Sequence, residues 1–96
     1  MPKADLIIGI DAGTSVIKAV AFGLSGKQLA VSAIANRYRT RDDGGVTQPL
    51  AQTWDDCAAA IRGLHDQLPG LAARTAAISV TAQGDGTWLV GAGNAA

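Results

Sequence analysis

Ninety-six residues bound the chain to one domain at most, because compact domains usually run to roughly 100–150 residues. Eight Lys and Arg balance eight Asp and Glu along the chain, which argues against a nucleic acid or an anionic membrane held by bulk charge. With 48% apolar and 17% charged residues the chain is too hydrophobic for a disordered tail, and its 4% aromatic share leaves a globular core built from small side chains.

The longest apolar stretch, Leu6-Ile-Ile-Gly-Ile10, is far short of the ~20 residues a membrane helix needs. The N-terminus enters this stretch without the basic segment, long apolar core and cleavage site of a signal peptide, so a cytoplasmic location is expected. One cysteine, Cys57, and one histidine, His65, leave neither an internal disulfide nor a zinc cluster to expect.

In chain order, Leu6–Ile10 reads as a strand buried on both faces and ending at the turn signal Asp11-Ala-Gly-Thr14. Ser15 to Phe22 is a second strand, Leu24-Ser-Gly-Lys27 a turn, and Gln28 to about Tyr38 a third strand. That third strand alternates, with Leu29, Val31, Ala33 and Ala35 on one side and Gln28, Ser32 and Asn36 on the other. The three form an antiparallel meander. Arg39 to Leu50 is polar and reads as a surface loop, and Arg37, Arg39 and Arg41, alternating along the strand end and loop, mark a solvated edge.

Thr53 is the expected cap of a helix running to about Gln67, supported by Asp55 and Asp56 in its first turn. Its apolar stripe is Trp54, Cys57, Ala58, Ile61, Leu64 and Leu68, with Trp54 as a packing anchor. Pro69-Gly70 ends the helix, Thr75 to Thr81 forms a fourth strand delivered parallel to a neighbour, and Thr87 to Val90 a short fifth. The order β-β-β-α-β predicts an α/β fold with a mixed sheet. Two strands apolar on both faces and a single helix leave one sheet face without a lid, so the chain reads as a piece of a larger fold.

The chemistry concentrates at Gly9-Ile-Asp-Ala-Gly-Thr-Ser15, where a carboxylate at a strand end is followed by a Gly turn and two hydroxyls. The N–H groups of Gly13, Thr14 and Ser15 can bind phosphate oxygens, Asp11 can hold Mg²⁺ directly or through water, and Lys18 can bring an ammonium to the same phosphates. The spacing is not that of a Walker A loop, and a strand rather than a helix follows, unlike a dinucleotide fingerprint. An ordinary hairpin with a solvated Lys18 is the competing reading.

The stretch Ile8-Gly-Ile-Asp-Ala-Gly-Thr-Ser-Val-Ile-Lys-Ala-Val-Ala-Phe22 resembles the first phosphate motif of the FGGY family of carbohydrate kinases. Gly45-Val-Thr-Gln48 followed by Trp54, and Ala77-Ile-Ser-Val-Thr-Ala-Gln83, are similar to later segments of that family in the same order. The resemblance implies the N-terminal part of an actin/hexokinase-like (ribonuclease H-like) ATPase domain. Residues 1–96 would be an incomplete subdomain, with the C-terminal part and a second domain absent. It implies ATP and Mg²⁺ as cofactors, with Asp11 as the metal-associated aspartate, Gly13, Thr14 and Ser15 as the phosphate turn and Lys18 as the basic residue beside it.

By the same resemblance, Gln83 opens a sugar-contacting segment in which Gly84 and Asp85 would select the substrate. A carboxylate at Asp85 can accept hydrogen bonds from two adjacent hydroxyls, which suits a neutral polyol or ketose. The string Gln83-Gly-Asp-Gly-Thr-Trp88 looks most like polyol kinases of the erythritol type, then pentulose kinases.

Thr47 and Pro49 depart from the acidic residues many members carry there. No catalytic base falls within these residues, since the family's base aspartate lies downstream. The expected activity is therefore transfer of the ATP γ-phosphate to a sugar or polyol hydroxyl by the intact parent, the fragment alone being inactive. A truncated non-catalytic module folding against a partner, and a nucleotide-dependent switch of the same superfamily, are the alternatives. The expected partners are the sugar or polyol and the missing C-terminal portion, with a homo-oligomeric parent left open and neither nucleic acid nor membrane among them. His65 reads as a helix-surface residue, Cys57 as a small buried hydrophobe, and Trp88 as packing or as the lining of a sugar pocket.

Overall fold

A computed structural model describes residues 3–36, 38–82 and 91–94. Strands β1 (Leu6–Ala12), β2 (Val16–Gly23) and β3 (Gln28–Ala35) form the antiparallel meander expected from their apolar runs. A two-residue ribbon follows, β4 (Arg39–Thr40) with β5 (Val46–Thr47), inside the segment read as a loop. Helix α1 (Leu50–Gln67), the one-turn α2 (Leu71–Arg74) and strand β6 (Thr75–Ala82) complete the main body, and Ala92–Asn94 make a single 3₁₀ turn. The main sheet has the order β3-β2-β1-β6, with β6 parallel to β1, so the mixed sheet and the crossover are as expected. The expected fifth strand, Thr87–Val90, lies outside the described residues.

Period-2 alternation puts Leu6, Ile8 and Ile10 of β1 and Ile17, Ala19 and Ala21 of β2 on one face, all buried under α1. On β3 the buried side is Ala30 and Ile34 together with Ser32, the set that pairs with Ala21, Ile17 and Ala19. The more apolar side, Val31 and Ala33, faces away. The helix can lie on the Ser32 side because Gly63 has no side chain: a Cβ there would collide with Ser32 Oγ and sit 2.9 Å from Ser32 Cβ. Gln67 fastens the far end, its Nε2 donating to the Val31 carbonyl at 2.8 Å.

The helix starts three residues before Thr53. Pro49 precedes it with φ −67°, and the Pro49 carbonyl accepts from the Thr53 N–H at 3.1 Å and from its hydroxyl at 3.2 Å. A proline at this boundary leaves no N–H unpaired, and Ala51 and Gln52 are good helix formers, so the helix extends upstream and Thr53 bonds back within it instead of capping it. Asp55 and Asp56 consequently fall in the second turn. The buried face is Asp56, Ala60 and Leu64, flanked by Cys57, Ile61 and Leu68, whereas Trp54 is 76% exposed and anchors nothing.

At the other end of the sheet, the Arg74 guanidinium grips the Asp5 carboxylate with two bonds of 3.0 Å, and the Asp5 N–H donates to the Arg74 carbonyl at 2.9 Å. This clamp aligns the starts of β1 and β6. The face of the sheet opposite α1 has no helix among the described residues, as the two-sided apolar strands anticipate. Beyond the reach of α1, Ile78 and Val80 on the helix side of β6 are 54% and 63% exposed.

Candidate functional site

The open face is organised in rows set by strand register. Nearest the β1–β2 turn, Ala33, Lys18, Asp11 and Thr81 stand side by side across β3, β2, β1 and β6. The next row is Val31, Val20, Gly9 and Ser79, and behind it come Phe22, Ile7 and Ala77. Polarity therefore falls away from the turn. A depression of about 210 Å³ opens over the first two rows, between Lys18 and Val20 on one side and Ser79 and Thr81 on the other. Gly9 forms its floor, and a Cβ at that position would meet the Phe22 ring at 3.4 Å.

Asp11 belongs to β1 and not to the turn, because the strand runs two residues past Ile10. Its side chain is thereby held at a fixed register position opposite Lys18, and both are exposed to solvent on the open face. The turn itself is Gly13-Thr14-Ser15, with Thr14 and Ser15 exposed. The Gly13 N–H donates to the Val16 carbonyl at 3.1 Å and closes the hairpin. A Cβ at Gly13 would lie 3.0 Å from that same carbonyl oxygen, a tight contact that glycine avoids.

Two residues of this region escaped the sequence reading. Thr81 shares the row of Asp11, a placement implied once β1 and β6 are aligned end to end in parallel. Asn36, just beyond β3, is 8% exposed; its N–H donates to the Ser15 carbonyl at 2.9 Å and its Nδ2 to the Gly13 carbonyl at 2.6 Å. No local pattern announces a contact spanning 23 residues. Gln83, Gly84 and Asp85 lie outside the described residues. The chain reaches them from Ala82, whose register partner is Ala12, immediately before the turn.

The remaining chemistry is quiet. Burial, and secondarily the neighbouring Asp56 charge, push the Cys57 thiol up from its ordinary range. His65 is on the exposed side of α1. Among the described residues no group of three or more His, Cys, Asp or Glu could hold a metal, and no helix is long and apolar enough to cross a membrane.

The pattern of the N-terminal domain of the FGGY family of carbohydrate kinases matches residues 6–95. The chain belongs to that family. It is 67% identical over 92 residues to an erythritol kinase of Brucella abortus (strain 2308), covering 96% of this chain and 18% of that protein. Thus the chain spans about a fifth of the length of the relative it matches. Among solved structures, a xyloylose kinase from Brucella ovis superposes with a TM-score of 0.86 at 24% identity, over 93% of this chain and 19% of that one. A xylulose kinase from Rhodospirillum rubrum does so with a TM-score of 0.76 at 25% identity, over 83% and 16%. The FGGY chain is therefore an α/β unit with the sugar-kinase fold of the actin/hexokinase-like class, and its open face is the one that carries Asp11 and Lys18.

Proposed function

We propose that the protein to which these residues belong is an ATP-dependent polyol kinase that transfers the γ-phosphate to a hydroxyl of erythritol or a close relative, with pentuloses as the next class. The observation that supports this most is the 67% identity with an erythritol kinase, on a chain whose open face carries a basic and an acidic residue in register beside a hydroxyl-bearing turn. ATP would lie with its phosphates toward Thr14, Ser15 and Lys18. The ammonium of Lys18 offsets phosphate charge, and the two hydroxyls and the backbone of the turn orient the oxygens.

The donor set suits Mg²⁺ of the kind that keeps most of its water. Such an ion needs one or two carboxylates plus substrate phosphates, and Asp11 with the Thr81 hydroxyl in the adjacent register position offers that much. When bound, the metal supplies charge neutralisation for the phosphates. The polyol would be held by Gln83, Gly84 and Asp85, which follow β6 from its end beside the phosphate turn, the usual location for ligands in open α/β sheets.

These residues would be an incomplete subdomain. Phosphoryl transfer relies on positioning and charge neutralisation from both sides of a cleft, so the 96-residue chain by itself is inactive, its base and its second domain lying in the part of the protein it does not span. The parent is cytoplasmic, where ATP is at hand. A coupled ADP-release assay on the full-length protein with erythritol, glycerol, xylulose and ribulose tests the reading. Turnover greatest with erythritol supports it, and the absence of any polyol- or ketose-dependent turnover removes it.

A further inference from the structure

We infer that the Gln67 side chain caps the free edge of β3 and so keeps a second copy of the protein from adding its own β3 to the sheet. The inference does not depend on the kinase reading. β3 is the outer strand of the order β3-β2-β1-β6, bonded to β2 on one side and, among the described residues, to no strand on the other. One hydrogen bond tells which of its groups point outward. The Asn36 N–H donates to the carbonyl of Ser15, the residue that stands opposite it when the β2–β3 register is continued by one step. In an antiparallel ladder the residues that bond a given neighbour alternate with those that do not. Ile34, Ser32 and Ala30 therefore turn their backbone groups to β2, and Ala35, Ala33 and Val31 turn theirs away from it.

Such an edge accepts another strand unless something blunts it, and the common devices are charges, prolines and bulges. From Gln28 to Asn36 there is no charged residue and no proline. A bulge does occur at Leu29, which is skipped between the pairs Ala21 with Ala30 and Phe22 with Gln28, but from Ala30 onward the strand is regular. The first outward residue of that regular stretch is Val31. Its carbonyl is the one that accepts from Gln67 Nε2 at 2.8 Å.

Packing sets the reach of this cap. Gly63 lets α1 come down on Ser32, and Gln67, one turn further along the same side of the helix, arrives beside the strand. The same Nε2 donates to the Gly63 carbonyl at 3.3 Å, which holds the side chain against the helix end. Gln67 is exposed, so its bonds contribute little to stability, and what they change is access to the edge.

The strand excluded is that of a second copy, because this edge is its own complement. About a two-fold axis at Ala33, an antiparallel partner sets Ala33 against Ala33 and Val31 against Ala35, with no like charges opposed. The Gln67 of each copy then occupies the carbonyl that the Ala35 N–H of the other would need, so the pairing is obstructed at both ends. The β3 margin also lies across the sheet from β6, the strand from which the chain runs on.

The test is sedimentation of the full-length protein across the micromolar range. In Gln67→Ala the mean mass rises with concentration toward about twice that of the wild type, while Tm falls by no more than a few degrees. Gln67→Lys, which keeps a donor for the Val31 carbonyl and adds a charge at the edge, sediments as the wild type does. Adding Ala33→Pro to Gln67→Ala removes an outward N–H that β2 does not use, and it returns the protein to the wild-type mass. A Gln67→Ala protein that sediments like the wild type overturns the inference. So does association that persists with Ala33→Pro, since it would then come from a loosened helix and not from strand pairing.

Hydrogen exchange on the wild type tests the premise without any variant. The outward amides of Val31, Ala33 and Ala35 should exchange fast while that of Ser32, bonded to β2, is protected. Protection of all four would show the edge to be covered by other means, and the cap at Gln67 would have nothing to exclude.

Discussion

Asp11 and Lys18 are Cα partners across the β1–β2 ladder, a carboxylate and an ammonium side chain carried by adjacent strands on the open face, one step from the turn. Neither is packed into the core, since the buried residues of both strands point the other way. Replacing Asp11 by Ala in the full-length protein therefore lowers kcat by about a hundredfold or more, as expected for loss of a metal-associated carboxylate, and leaves Tm nearly unchanged. Retained turnover would refute the assignment of Asp11, and a large fall in Tm would mean that its role is structural.

Lys18→Met keeps the length of the side chain and its apolar stem while removing the charge. Because Lys18 is exposed, its ammonium acts on phosphates in a partly aqueous site, and the loss is graded. The KM for Mg-ATP should rise several-fold, with the effect shrinking at high ionic strength as the wild-type advantage is screened. A salt-independent defect would argue that the stem, rather than the charge, matters.

How much of this was legible in the sequence varies with the range of the interactions involved. The strand Leu6–Ile10 and its polar exit are local features, and so is the β-β-β-α-β order. The helix start was misread because Thr53 carries a capping side chain, yet the boundary is decided by Pro49 and by two good helix formers between them. Trp54 keeps its helical spacing to Cys57 and Ala58 yet is 76% exposed, so the stripe's spacing alone does not decide its burial. On β3 the alternation was visible, but which side meets the helix depends on Gly63, thirty-one residues beyond Ser32 in the chain, and no pattern within the strand encodes it. Asn36 was invisible for the same reason. That Asp11, Thr14, Ser15 and Lys18 come together at one hairpin is local information, because all four are close in the chain.

The close approach at Gly63 sets two magnitudes against each other. Alanine gains about 1 kcal/mol of helix propensity over glycine, whereas forcing a Cβ against Ser32 costs about 1–3 kcal/mol of overpacking. The obstacle is the Ser32 side chain on a central part of β3, not a flexible tip, so the clash wins and Gly63→Ala lowers stability by about 1–2 kcal/mol. Adding Ser32→Gly to that variant restores part of the loss, a non-additivity that urea denaturation of the double-mutant cycle reads directly. Strict additivity would mean the helix lies farther from β3 than described.

The Asp5–Arg74 clamp makes a statement about pH. The Arg74 hydrogen bonds, assisted by its charge, hold the Asp5 carboxyl below its ordinary value of 3.8. A carboxyl whose pKa is depressed on folding contributes stability that is fully present above its unfolded value and is lost as pH falls through the folded one. Asp5→Asn should accordingly lower Tm by a few degrees at neutral pH, the modest size expected of a partly exposed pair. The gap between the two proteins should close as the pH drops below about 4. A difference that persists undiminished at pH 2 would show that the ion pair is not its source.

Strand β6 presents Ile78 and Val80 on its helix side and, among the described residues, no strand partner on the edge away from β1, and Ile7 and Val16 are 37% and 42% exposed on the open face. Apolar surface of this kind on an edge strand favours pairing with another chain or binding of hydrophobic dyes. The isolated 96-residue chain should therefore self-associate in sedimentation at micromolar concentration and enhance the fluorescence of an apolar dye. Val80→Lys combined with Ile78→Lys places two charges on the part of the helix side that α1 does not cover, so it should reduce association without disturbing the Leu6, Ile8 and Ile17 core. If the unmodified chain is monodisperse and dye-silent, its exposed strands are tolerated as they stand, and the inference that they await the rest of a kinase domain loses its support.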